Sequence, residues 1–170
     1  MKVNKIYFDM DGVLSDFERG VREICGLAPQ SQNAKHRNPR DDEEMWERIK
    51  NAPHFYGRLE LMPGANELFD AVYTVYGDKC EILTGIPKPK RGVVDAEADK
   101  REWVRRLLSE DVKVNVVFRE EKPKYCTDEG CILIDDMTRN IRDWNAMGGT
   151  GIKHESAEQT LEILKDKGIL

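Results

Sequence analysis

Three short apolar runs in this chain stop abruptly at polar residues of one kind. Ile6-Tyr7-Phe8 runs into Asp9-Met10-Asp11-Gly12, Ile82-Leu83 into Thr84-Gly85, and Ile132-Leu133-Ile134 into Asp135-Asp136. Amphipathic segments lie between them. Short apolar runs alternating with helical periodicity are the pattern of a parallel sheet covered by helices. In open sheets of that kind, ligands sit outside the carboxyl ends of the strands. If the three strands are parallel neighbours, Asp9, Asp11, Thr84, Asp135 and Asp136 converge at one edge.

The rest of the chain fits this frame. A strand over Val3–Asp9 leads to a helix near Ser15–Cys25, with Phe17, Val21 and Ile24 on one face and Gly26 to stop it. Further strands are expected at Cys80–Leu83, Val112–Phe118, Cys131–Ile134 and Thr150–Lys153, with helices near Ala65–Tyr76, Asp95–Ser109 and Met137–Trp144. A last helix opens on a capping box, Ser156 with Gln159. Residues 28–61 differ. Gln30–Arg40 is polar, Asp41-Asp42-Glu43-Glu44 suits the first turn of a helix, and Met45, Trp46 and Ile49 form an apolar stripe that ends before Pro53. The fold class expected is therefore α/β, a doubly wound, mostly parallel sheet. Residues 1–27 and 62–170 form the core, and 28–61 form a small helical cap.

Composition narrows the function. With 170 residues, 35% charged and 39% hydrophobic, the chain suits one domain and has no apolar run near the roughly 18 residues of a membrane span. Met1–Lys5 leads straight into a short run that ends in acid, so no secretory leader is expected and a cytoplasmic location is. The net charge of −5 gives no basic field for a nucleic-acid backbone. Cys25, Cys80, Cys126 and Cys131 form no C-x-x-C and read as reduced thiols.

Converging carboxylates repel one another, and burying them unpaired is costly. A hard divalent cation resolves the repulsion. Mg²⁺ in particular takes a few carboxylates, waters and a substrate phosphate. Asp9, at a strand end, can act as a nucleophile on phosphorus. Asp11, two residues on, can protonate the leaving oxygen and later take a proton from water. Thr84 and the amide of Gly85 can donate to phosphate oxygens.

Asp9-Met10-Asp11-Gly12-Val13-Leu14, Leu83-Thr84-Gly85 and Leu133-Ile134-Asp135-Asp136 resemble motifs I, II and IV of the haloacid dehalogenase superfamily of phosphohydrolases, in that family's order. The run Asp9–Glu18 is similar to the start of the 5'(3')-deoxyribonucleotidases, which also carry a short helical cap between motifs I and II. Leu61-Met62-Pro63-Gly64-Ala65 resembles their return to the core. Gly85 departs from the pattern, standing where these enzymes commonly have serine. The resemblance implies that Asp9 and Asp135 ligate Mg²⁺ through carboxylates, that Asp11 does so through its carbonyl, and that Asp136 supports them. It also requires a lysine on the phosphoryl group. Lys100, in Asp99–Val104, is preferred because that segment is similar to the family's helix after motif II. Lys122, before Pro123, is the rival.

Phe17 and Trp46, with Phe55 and Tyr56, could either stack a base or pack the cap's own core; Phe17 matches an aromatic position of the resembling family. Asp136 could also cap the helix after it. The expected substrate is a (deoxy)nucleoside monophosphate. A sugar phosphate, or a catalytically idle module that only binds metal or nucleotide, are the alternatives.

Overall fold

The computed structural model describes all of residues 1–170. Five parallel strands form one sheet in the order β3-β2-β1-β4-β5, where β1 is Lys5–Phe8, β2 Cys80–Gly85, β3 Lys113–Val117, β4 Cys131–Asp135 and β5 Thr150–Lys153. Six helices accompany them: α1 (Phe17–Glu23), α2 (Pro39–Asn51), α3 (Ala65–Tyr76), α4 (Ala96–Leu107), α5 (Thr138–Ala146) and α6 (Ala157–Asp166). No helix is long and apolar enough to cross a membrane.

Side-chain alternation along the strands builds two layers. Ile6, Phe8, Ile82, Ile132 and Ile134 pack with Leu68, Phe69 and Val72 of α3, Trp103 of α4 and Leu164 of α6. Tyr7, Leu83 and Leu133 point to the opposite face and pack with Trp144 of α5. A strand order that runs outward from β1 in both directions has its switch point beside β1. The crevice that opens there, at the carboxyl ends, is where an open sheet binds ligands.

The insert has an apolar cluster of its own. Met45 and Ile49 of α2 meet Phe55, Tyr56 and Leu59, and also Phe17 and Val21 of α1 and Cys25 just after it. Thus α1, expected as part of the core, shares the insert's cluster. Helix α2 starts two residues before the acidic run. Asn38 caps it, accepting from the amides of Arg40 and Asp41, and Pro39 takes its first turn, where a missing N–H costs nothing. The indole of Trp103 donates to the Leu59 carbonyl (2.8 Å), tying α4 to the insert's return.

Candidate active site

Strand register delivers the carboxylates. Phe8 lies opposite Ile134 in β4 and Ile82 in β2. Asp9 is therefore level with Asp135, and Thr84 lies one step beyond on the other side. The amide of Asp9 donates to the Ile134 carbonyl (3.0 Å), which extends the pairing to the carboxyl edge of the sheet. A tight turn follows, in which the amides of Val13, Leu14 and Ser15 all donate to the Met10 carbonyl. Ser15 Oγ donates to Asp11 Oδ1 (3.1 Å) and fixes that side chain. Gly12 has φ +85°, and a Cβ there would lie 2.2 Å from Asp136 Oδ2. Only glycine satisfies both the turn and the close approach of the Asp136 carboxylate.

Carboxylate oxygens of Asp9, Asp135 and Asp136 lie within 4.8 Å of one another. Burial, with Asp135 beside it, pushes Asp9 up to about 6 against the pull of Lys122. Burial, Asp9 and Asp135 push Asp136 up to about 9. Such a trio holds more negative charge than its one bridging ammonium balances. The donor set, all hard oxygens, fits a divalent cation such as Mg²⁺.

Both candidate lysines reach the site, by different routes. Lys122 comes from a 3-10 turn (Arg119–Tyr125) after β3. Its Nζ bridges Asp9 Oδ1 (2.8 Å) and Asp135 Oδ2 (2.9 Å). Burial pushes the ammonium's pKa down, but Asp135 and Asp9 overcome this and hold it above the usual lysine range. Lys100, on α4, has no exposed surface. Its Nζ donates to Asp11 Oδ2 (2.9 Å), Thr84 Oγ1 (2.9 Å) and the Gly85 carbonyl (2.8 Å), and it lies 4.5 Å from the ring centre of Tyr56. The preference for Lys100 as the phosphoryl lysine thus meets a geometry in which Lys122 is the one against Asp9. The Thr84 hydroxyl is fully buried and engaged by Lys100.

The two residues of the acidic pair differ in their surroundings. Asp135 has no exposed surface. Its Oδ1 accepts from the Met137 amide (2.8 Å), and its Oδ2 accepts from Lys122 and from Asn140 Nδ2 (2.9 Å). Asp136, expected in support, lines the open cleft. It does not cap α5, whose N-cap is Met137.

A cleft of about 490 Å³ opens over these groups. Asp9, Asp11, Gly85, Lys122 and Asp136 line it, together with Phe17, Trp46 and Tyr56 and the loop segment Gln30–Asn33. Phe17 lies face to face with Tyr56 at 6.3 Å and tilted to Trp46 at 6.4 Å. Those three rings belong to the insert's cluster and the cleft at once. Phe55 has no exposed surface and packs edge-on to Phe17 and Tyr56. Asn140, Arg119, Lys153 and His154 also line the cleft, and the sequence reading gave none of them a role. Asn140 sits one turn into a helix, where an asparagine carries no pattern of its own.

The family model described as "5' nucleotidase, deoxy (Pyrimidine), cytosolic type C protein" matches residues 2–160. The chain belongs to this family. As a type C 5'-nucleotidase relative it is an enzyme, a hydrolase of phosphate esters, in keeping with the resemblance drawn from Asp9–Glu18 and the two later motifs. A protein of Vibrio phage KVP40 that bears the provisional name 5'(3')-deoxyribonucleotidase is 27% identical over 141 residues, 79% of this chain and 67% of the phage protein. Among solved structures, a hydrolase from Streptococcus pneumoniae TIGR4 superposes with a TM-score of 0.59 at 14% identity, covering 97% of this chain and all of that one. A Lactobacillus plantarum protein provisionally named a phosphoglycolate phosphatase gives a TM-score of 0.54 at 14% identity, covering 97% of this chain and 99% of that one. At that identity the two structures share the fold, the parallel α/β core expected for the haloacid dehalogenase superfamily.

Proposed function

We propose that the chain is a Mg²⁺-dependent phosphomonoesterase that removes the phosphate of (deoxy)nucleoside monophosphates through an aspartyl-phosphate. The observation that carries this reading is the buried Asp9–Lys122–Asp135 contact beside Asp136 at the switch point of the sheet. Family membership supports the nucleotide substrate, and the aromatic rings bordering the same cleft suit a base.

Asp9 attacks phosphorus, and the bond to the ester oxygen breaks. Asp11, steadied by Lys100 and Ser15, protonates the departing alcohol. Water then attacks the aspartyl-phosphate, and Asp11 takes its proton, so that Asp9 and free phosphate are regenerated. Lys122 lies against the attacking carboxylate and neutralises the charge on the transferring group. Asp135 holds Lys122 in place, and Lys100 holds Asp11 and Thr84. The Gly85 amide contributes a donor to the phosphate oxygens. The cation would be held by the carboxylates of Asp9 and Asp136 and the carbonyl of Asp11. When bound it supplies positive charge that draws the phosphate to Asp9 and offsets the repulsion of the acids.

Hydrolysis of thymidine and deoxycytidine monophosphates, of sugar phosphates and of p-nitrophenyl phosphate, with and without Mg²⁺, tests the reading. Asp9→Asn is expected to lose turnover on every substrate, and the wild type is expected to prefer nucleotides. Full activity in Asp9→Asn would remove the nucleophile. Equal turnover of sugar phosphates would remove the nucleotide preference. A wild type inactive on every ester would leave a module that only binds.

A further inference from the structure

Helix α5 carries the acidic pair's trailing residues into its first turn, yet its N-cap is Met137, whose side chain makes no capping hydrogen bond. The first amides of a helix have no partner inside it. Here one of them is met from across the molecule. Asn33, in the polar loop of the insert, accepts from the Thr138 amide through Oδ1 (2.9 Å) and donates through Nδ2 to the Asp136 carbonyl (2.9 Å). One carboxamide thus grips the backbone on both sides of Met137.

The loop behind Asn33 is built to present it. Gln30 Oε1 accepts from the Asn38 amide (2.7 Å), and Gln30 Nε2 donates to the Asn38 carbonyl (3.1 Å). Arg37 donates to the Ser31 carbonyl (2.6 Å) and pairs with Asp42 on α2. These contacts close the loop on itself and on α2. Every hydrogen bond from residues 28–38 to residues 1–27 or 62–170 passes through Asn33.

We infer that Asn33 is a positioning residue for the Asp136 carboxylate: by gripping Asp136 O and Thr138 N it fixes the backbone from which that carboxylate faces the cleft, and so couples seating of the insert's loop to the metal-holding geometry. The inference rests on the reading above that Asp136 serves a cation. Partners that orient a ligand from behind typically change metal affinity by about 10–100-fold when removed.

Three measurements on the full chain test it. Amide hydrogen exchange at Thr138 reports the grip itself, whether or not metal binds. Titration calorimetry with Mn²⁺ reports affinity without turnover. Hydrolysis of p-nitrophenyl phosphate at saturating Mg²⁺ reports kcat with a substrate that carries no base or sugar. Asn33→Ala is expected to speed exchange at Thr138, to weaken Mn²⁺ binding about tenfold and to lower kcat on that ester. Lys35→Ala, on the same exposed loop with no hydrogen bond to the core, is expected to do none of these. Unchanged exchange at Thr138 overturns the grip, and faster exchange with unchanged Mn²⁺ affinity overturns the positioning role. A wild type that binds no Mn²⁺ overturns the metal reading itself, and the positioning role falls with it.

Discussion

At the scale of single residues, the site is decided by a few atoms that tolerate no substitute. Gly12→Ala would force a side chain into left-handed backbone, at a cost of about 1–2 kcal/mol, and would push the Asp136 carboxylate from its place 2.2 Å from the new Cβ. The expected outcome is a lower melting temperature together with a higher Mg²⁺ concentration at half-maximal rate, read by calorimetry and by Mg²⁺ titration of activity. The two lysines separate on a different measurement. Lys122→Met strips the bridge from two buried acids, and loss of one partner of such a pair destabilises by about 3–5 kcal/mol. It should also abolish inhibition by inorganic phosphate and reduce kcat at least about a hundredfold. Lys100→Met should lower kcat yet keep the inhibition constant for phosphate near the wild-type value. Reversal of that pattern would return the phosphoryl group to Lys100. The sequence left this choice open for a physical reason. A strand-end aspartate is placed by register alone, whereas a lysine's reach depends on which turn carries it. The turn that holds Lys122 has no periodicity to announce it.

At the scale of elements, most of the fold is legible because each strand and helix carries its own local signal. Cys131–Asp135 is uniformly apolar up to its acid and is buried throughout. Ser156 caps α6 as read, accepting from the Gln159 amide (3.1 Å). The box is only half made, since the Gln159 side chain donates to Glu155 Oε2 (3.3 Å) instead of returning to Ser156. Ser156→Ala should therefore cost about 1 kcal/mol, a drop of about 2–4 °C in melting temperature, with the kinetics untouched. The features that escaped the reading depend on contacts that no local pattern announces, whether remote in the chain as for Asn33 or five residues back as for Asn140. Asn33 and Asn140 are ordinary polar residues until the fold brings them to Thr138 and Asp135. The early start of α2 turned on a proline that reads as a breaker in a loop but serves as a first helical residue.

At the scale of the whole molecule, stability should respond to metal and to acid. A cation that binds only the folded chain stabilises it by mass action, about 2.7 kcal/mol at a hundredfold excess over its dissociation constant. Melting temperature should thus rise with Mg²⁺ and fall back with EDTA, an effect that Asp136→Asn should blunt. His154 supplies an acid limb. Burial, with Lys153 adding, pushes its imidazole down to about 4 from 6.5, so the folded state resists a proton that the unfolded chain takes up. Its contribution is complete above pH 6.5, declines as pH falls between 6.5 and 4, and is gone below that. The gap corresponds to about 3–3.5 kcal/mol. Chemical denaturation of wild type and His154→Asn across this window should show the two stability curves converging as pH falls. The overall plan, one edge of a parallel sheet gathering acids from residues 9 to 136, follows from the three strand endings alone.

Lys100 touches Asp11 with its ammonium while sitting over the Tyr56 ring, a contact of about 0.5–2 kcal/mol. An aromatic ring bordering the cleft and the aspartate proposed to protonate the leaving alcohol therefore share one cation. On the mechanism proposed above, replacing that ring by Tyr56→Leu should disturb the Lys100–Asp11 contact and slow even esters that carry no base. An engineer who wants a new specificity here will have to retune the chemistry with it.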